Sequence, residues 1–237
     1  SRAGDDSVNR HTVIAIDGPA ASGKSSTAQW VARRLGFHHV DSGSLYRAAT
    51  AAQMTGSHNP EEWTEPQVLQ AAAGVSFVAR ERSFIPLIGG VPSDELLRSI
   101  EVTRNVSRVA KMPQIRDWVN GLVRQTAETQ DVVVDGRDIG TVVFPDASLK
   151  IFLIADPWER ARRRLIQRLG HHPTDEEIAA ETDLIVHRDA KDATQSAQAS
   201  DAVLIDTTYL TQEDQVERIV QLAKAVTQRP TGTSAVD

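Results

Sequence analysis

The chain has 237 residues, 40% of them hydrophobic and 24% charged, which suits an α/β domain carrying an insertion and excludes global disorder. A formal net charge of -6 argues against coating nucleic acid, yet a few arginines and lysines can still capture a phosphate. With no cysteine there is no disulfide, thiolate metal site or cysteine nucleophile, and the longest apolar runs, 13–16 and 151–155, are too short to span a bilayer.

Residues 1–11 and 228–237 are polar and aperiodic and read as flexible termini, and a soluble cytoplasmic protein is expected. Val13-Ile14-Ala15-Ile16 is a buried strand by length and β-branching, feeding a glycine-rich turn. From Lys24 to Leu35 the pattern is helical, with Ala28, Val31 and Leu35 on one face. Residues 38–41 predict a second strand and 44–54 a helix. Residues 132–135 and 149–154 predict two more strands, and 203–206 a weaker fifth before a helix over about 211–226. The alternation predicts an α/β fold, a five-stranded parallel sheet flanked by helices. Two stretches break the rhythm. Residues 59–104, with apolar runs at 75–78 and 84–88 and a Gly89-Gly90 turn, read as a β-containing insertion. Residues 169–198 are polar and rich in His and Asp, and read as a mobile lid. The core is then 12–58, 105–168 and 199–227.

Gly18-Pro19-Ala20-Ala21-Ser22-Gly23-Lys24-Ser25 matches the P-loop pattern G-x-x-x-x-G-K-[ST] in full, after a strand and before a helix. Its backbone N–H groups and the helix dipole suit the phosphates of ATP, with Ser26 following in the same cradle. Lys24 is expected to bridge the β and γ phosphates and Ser25 to ligate Mg²⁺. GTPases, ATPases and small-molecule kinases all use this loop. The guanine-reading Asn-Lys-x-Asp run does not occur, and size, insertion and lid favour a kinase for a small metabolite.

Asp41-Ser42-Gly43-Ser44-Leu45-Tyr46-Arg47 and the long run from Asp135-Gly136-Arg137-Asp138-Ile139-Gly140-Thr141 through Val142-Val143-Phe144-Pro145-Asp146-Ala147 together resemble the bacterial cytidylate kinases. Leu149-Lys150-Ile151-Phe152-Leu153, Glu159-Arg160-Ala161 with Arg162-Arg163-Arg164, and Asp201-Ala202 followed by Ile205-Asp206-Thr207-Thr208 agree. The resemblance covers residues 13–222. It implies a P-loop nucleoside monophosphate kinase fold with an enlarged NMP-binding insertion and a lid. It also implies ATP-dependent phosphorylation of CMP and dCMP with Mg²⁺, by a monomer with no nucleic-acid or membrane partner. Kinases for UMP, AMP or shikimate are the neighbouring readings, and a nucleotide-binding switch without turnover is the distant one.

By this resemblance Arg47 and Arg137 hold the acceptor phosphate, for which planar guanidinium groups suit bidentate oxygens. Ser42, at a strand end, could add its hydroxyl. Cytosine presents an amino donor where uracil presents an acceptor, so a carboxylate there prefers cytosine. The resemblance gives that edge to Asp138 with Ser107, the acceptor side of the base to Arg116, and phosphate and sugar contacts to Arg188 and Asp192. Plainer readings exist: Arg47 and Arg116 as helix-surface arginines, and Asp138 as a structural partner of Arg137. Asp135 closes a Walker-B-like strand and either touches Mg²⁺ through water or caps the next turn. Of the arginines from 160 to 164, Arg160 and Arg164 share a helix face and, with Lys24 and Arg188, are expected to stabilise the transferring phosphoryl; a solvated charged face is the alternative.

The family's lid carries Arg-Asp-x-x-Asp, another Arg, and a Pro-Leu before the last strand. Arg188-Asp189-Ala190-Lys191-Asp192 matches the first part. Gln195 stands where the second Arg is expected, no Pro-Leu precedes Asp201, and the segment from Asp192 to Asp201 is short. Either another lid arginine compensates, or lid residues are missing.

Overall fold

The structure, a computed structural model, describes residues 11–56, 59–193 and 197–227. The expectations for the termini, for Gln195 and for a boundary after residue 58 lie outside these residues. In chain order the elements are β1 (Val13–Asp17), α1 (Lys24–Leu35), β2 (His38–Asp41), α2 (Ser42–Met54), α3 (Glu65–Ala72), β3 (Val75–Arg80), β4 (Ser83–Ile88) and β5 (Val91–Pro92). There follow α4 (Asp94–Leu97), α5 (Ile100–Ala110), α6 (Pro113–Thr129), β6 (Val132–Gly136), a π-helical turn (Ile139–Val143), β7 (Leu149–Ile154), α7 (Pro157–Leu169), α8 (Asp175–Asp192), β8 (Val203–Asp206) and α9 (Gln212–Thr227). The five strands expected from the sequence all form, and the fold is α/β. Among the described residues no helix is long and apolar enough to cross a membrane.

The chain makes two compact units, one spanning Gly36–Val134 and the other built from Thr12–Leu35 and the residues from Asp135 onward. In the first unit the strand order is β3-β4-β2-β6. The hairpin of β3 and β4 is antiparallel from Val75 opposite Ile88 to Arg80 opposite Ser83. Gly89 and Gly90, both at positive φ, turn the chain into β5 as the Gly-Gly pair predicts. Strand β4 lies parallel to β2 at His39 and Ser83, and α5 runs through the expected boundary at 104–105. Helix α2 begins at Ser42, two residues earlier than expected, because Asp41 caps it by accepting from Gly43 N–H at 2.9 Å. Its buried face is Leu45, Ala48, Ala49, Ala51 and Ala52. Side chains that small let α3, α5 and α6 all pack closely against it.

In the second unit β1, β7 and β8 lie parallel in that order, with Ile14 opposite Leu149, Ile16 opposite Ile151 and Leu153 opposite Ile205. Every residue of β1 is buried, as the unbroken apolar run predicts. Helices α1 and α9 pack together, and in their contact the Thr27 hydroxyl donates to Gln215 Oε1 at 3.0 Å.

The stretch expected to be a lid holds the 18-residue helix α8, which its polar composition does not predict. A capping box starts it, with Thr174 Oγ1 accepting from Glu177 N–H and the Glu177 carboxylate accepting from Thr174 N–H. Its buried residues Ile178, Glu181 and Ile185 fall on one stripe, and the two isoleucines cluster with Ala161 and Leu165 of α7. Burying Leu165, Ile178 and Ile185 stabilises this helical hairpin by about 1.5–3 kcal/mol each.

Candidate active site

Strand β1 delivers the chain to Gly18, where a Cβ would lie 2.4 Å from the Leu153 carbonyl oxygen of β7, so the position admits only glycine. Three residues later Ala21 takes a left-handed backbone, φ 59°, with its methyl packed against the α7–α8 cluster. Ser22 is 1% exposed and its hydroxyl oxygen has no hydrogen-bond partner among the described residues. A buried orphan hydroxyl in a glycine-rich turn just before a helix fits a phosphate oxygen. Helix α1 begins at Lys24, whose Nζ donates to the Pro19 carbonyl at 3.4 Å, and Ser25 and Ser26 stand in its first turn. The loop from Gly18 to Ser26 therefore suits phosphate oxygens.

The arginines of α7 divide by face. Arg160 is 3% exposed, and its Nε donates to the Ala155 carbonyl. Its Nη1 reaches the Ala20 carbonyl of the P-loop at 3.2 Å, and Nη1 and Nη2 form a bidentate pair with Asp189 of α8. Its charge is thus matched inside the protein. Arg164, one turn on, faces Glu181 Oε1 of α8 at 3.3 Å. Arg162 and Arg163 turn the other way onto Glu159, whose carboxyl is held below its ordinary value first by the hydrogen bond from Arg162. Arg163 also donates to the carbonyls of Thr207 and Thr208, fixing the segment after β8. A cavity of about 480 Å³ opens here beside the P-loop, lined by Ser22, Thr27, Arg162, Tyr209 and Gln215 among others.

Arg137 pairs with Asp192 at the end of α8, and Arg188 Nε lies 3.6 Å from the same carboxylate. The Arg188 guanidinium is drawn below its ordinary range, first by desolvation and then by Arg137 and Arg164, with Asp192 opposing. Two guanidinium groups sharing one carboxylate leave an excess of positive charge suited to an anion. Asp135 is buried at the end of β6, and Asp138 precedes the π-helical turn.

The other acceptor-side residues belong to the first unit. Ser42 is buried at the head of α2, and Arg47 on the same helix donates to the Leu97 carbonyl at 3.0 Å and to Thr103 Oγ1 at 3.1 Å. Ser107 is exposed on α5, and Arg116 on α6 donates to the Ala110 carbonyl at 3.3 Å. Sequence reasoning misses Asp17, the residue before Gly18. Its carboxylate accepts from Ile139 N–H and Gly140 N–H, each at 2.8 Å, and burial pushes its pKa up to about 6. The available signal is a carboxylate closing an otherwise apolar strand directly before a glycine-rich loop.

A phosphate cradle followed by a cluster of arginines can bind a polyphosphate and stabilise negative charge in transfer. Residues 14–225 match the family described as cytidylate kinase. A protein named cytidylate kinase from Desulfitobacterium hafniense (strain Y51) is 41% identical over 220 residues, 91% of this chain and 94% of the relative. One of the same name from Alkaliphilus oremlandii (strain OhILAs) is 39% identical over 219 residues, 90% and 98% respectively. Another from Streptococcus pneumoniae serotype 4 (strain ATCC BAA-334 / TIGR4) is 40% identical over 217 residues, 87% and 94%. With a family match over most of its length and relatives of this identity, the chain belongs to the cytidylate kinase family.

Proposed function

We propose that this chain transfers the γ-phosphoryl group of ATP to CMP, and to dCMP, in pyrimidine nucleotide metabolism, acting as a cytoplasmic monomer. The observation that carries the reading is the phosphate cradle with its orphan Ser22 hydroxyl, in the same unit as the Arg137, Arg164 and Arg188 cluster. The P-loop amides, Lys24 and the Ser22 hydroxyl hold the triphosphate, and Ser25 and Asp135 would hold Mg²⁺. A bound Mg²⁺ supplies Lewis-acid neutralisation of the phosphate oxygens.

In the transfer an oxygen of the CMP phosphate forms a bond to the γ-phosphorus. The bond from that phosphorus to the β–γ bridging oxygen breaks, and its electron pair leaves with ADP. The transition state is loose, so alignment and charge matter more than a strong base. Lys24, Arg164 and Arg188 stabilise the charge. Arg160 acts through the Ala20 carbonyl and Asp189, holding the loop against α8. Ser42, Arg47, Ser107 and Arg116 in one unit, and Arg137, Asp138, Arg188 and Asp192 in the other, keep the acceptor roles that the family resemblance implies. Residues 59–104 are then the NMP-binding insertion and 169–198 the lid.

The test is a coupled assay of ADP release with ATP and Mg²⁺ fixed, across CMP, dCMP, UMP, AMP and shikimate. Turnover confined to CMP and dCMP is expected. Turnover with another acceptor removes the roles given to Ser107, Arg116 and Asp138, and turnover with none removes the reading.

A further inference from the structure

Asp17 is a buried carboxylate that the transfer chemistry above leaves unassigned. It closes β1 one residue before the loop's first glycine and is 4% exposed. Its two oxygens serve two consecutive amides, Oδ1 that of Ile139 and Oδ2 that of Gly140. Those amides open the π-helical turn and follow directly on Arg137 and Asp138. The second residue of the turn is closely packed as well. A Cβ on Gly140 would lie 3.1 Å from Lys150 Cδ and 3.4 Å from Asp17 Oδ2. Lys150 is itself buried and tied to Asp201 at 3.0 Å. The turn lies against a carboxylate and a lysine stem, and a side chain at its second residue would force that stem to give by a few tenths of an ångström.

Burial disfavours the charged carboxylate, Asp138 adds repulsion, and only the two amides and Lys24 oppose them. A neutral side chain would fill the same space with less desolvation. What the carboxylate alone supplies is two strong acceptors aimed at adjacent amides. We propose that Asp17 is a positioning residue of the phosphoryl transfer, locking the Ile139 and Gly140 amides to the strand that delivers the P-loop and so fixing Arg137 and Asp138 relative to the phosphate cradle. The inference rests on the acceptor roles proposed for those two residues. Loss of the clamp then disturbs acceptor recognition and leaves nucleotide binding by the P-loop intact.

Asp17→Asn keeps the shape but turns one acceptor into a donor that faces an amide. Titration calorimetry with CMP, UMP and ADP, each alone on the free protein, reads its effect without turnover. CMP affinity should fall about tenfold and the preference over UMP should narrow, while ADP affinity stays within about twofold. Gly140→Ala shifts the same turn with Asp17 intact and should give the same pattern, which covers the case of an Asp17 variant that does not fold. A folded variant that binds all three nucleotides like the parent, or loses all three alike, overturns the positioning role. A parent protein that binds no CMP instead overturns the acceptor reading beneath it, which separates the two failures.

Discussion

Helix α2 in the first unit and helix α7 in the second each carry an arginine that the family resemblance ties to phosphate, and they hold it by opposite means. Arg47 on α2 donates to neutral acceptors, a carbonyl and a hydroxyl, which steady the guanidinium without cancelling its charge. Arg160 on α7 is buried, and Asp189 takes its charge in a bidentate pair. An arginine held by neutral groups stays available to an anion. Arg160, buried and held by a bidentate carboxylate and two carbonyls, has become part of the frame, and here the frame is the P-loop itself, through Ala20.

The most direct way to break this contrast is Asp189→Ala, which strands Arg160 without its carboxylate. Removing one partner of a buried pair costs about 3–5 kcal/mol; with Asp189 partly exposed, denaturant unfolding should show a loss at the low end, about 3 kcal/mol. An unchanged midpoint would mean that the Ala155 and Ala20 carbonyls hold Arg160 without help from Asp189. Lys24→Ala tests the cradle: turnover should fall about a hundredfold to a thousandfold in steady-state assays, with the folded state confirmed by circular dichroism.

Asp17 sharpens the contrast from the side of an anion. The folded chain holds its proton more tightly than the unfolded chain, about 6 against 3.8, with Asp138 and Lys24 the charged groups that bear on it. As pH rises from about 4 to about 6 this carboxyl therefore lowers stability, by up to about 3 kcal/mol above that window. Unfolding free energies measured across the window should show a falling contribution that Asp17→Asn removes. The smallest effect is expected for Arg47→Ala, where KM for CMP should rise about tenfold while KM for ATP stays unchanged. An equal rise in both would deny Arg47 its acceptor role.

The P-loop with β1 and α1 is legible in the sequence because consecutive residues carry the whole signal, and β7 and β8 keep the bounds of their apolar runs. Helix α8 is harder, since one of its three buried residues is Glu181 and the stripe hides in a polar average. Only the capping pair Thr174 and Glu177 announces it locally. Which arginine of the 160–164 run is buried depends on partners far along the chain, Asp189 on one face and Thr207 on the other. Spacing gives the faces of a helix but not what waits opposite them. The Asp17 clamp joins residues 122 and 123 positions apart, a distance over which no local pattern speaks. The acceptor assignments rest on family motifs alone, because nothing in the spacing of Ser42, Arg47, Ser107 and Arg116 points to a common ligand.

Ala21 bears a left-handed backbone with a side chain attached, which costs an L-residue about 1–2 kcal/mol and which glycine adopts freely. The methyl that makes the conformation expensive is also what seats the loop tip among Ala161, Leu165, Ile178 and Ile185. Strain and adhesion reside on one carbon, like a sprung catch. Trimming that methyl to hydrogen would relax the spring and release the catch together, leaving a loop that forms more readily and grips its helical hairpin less.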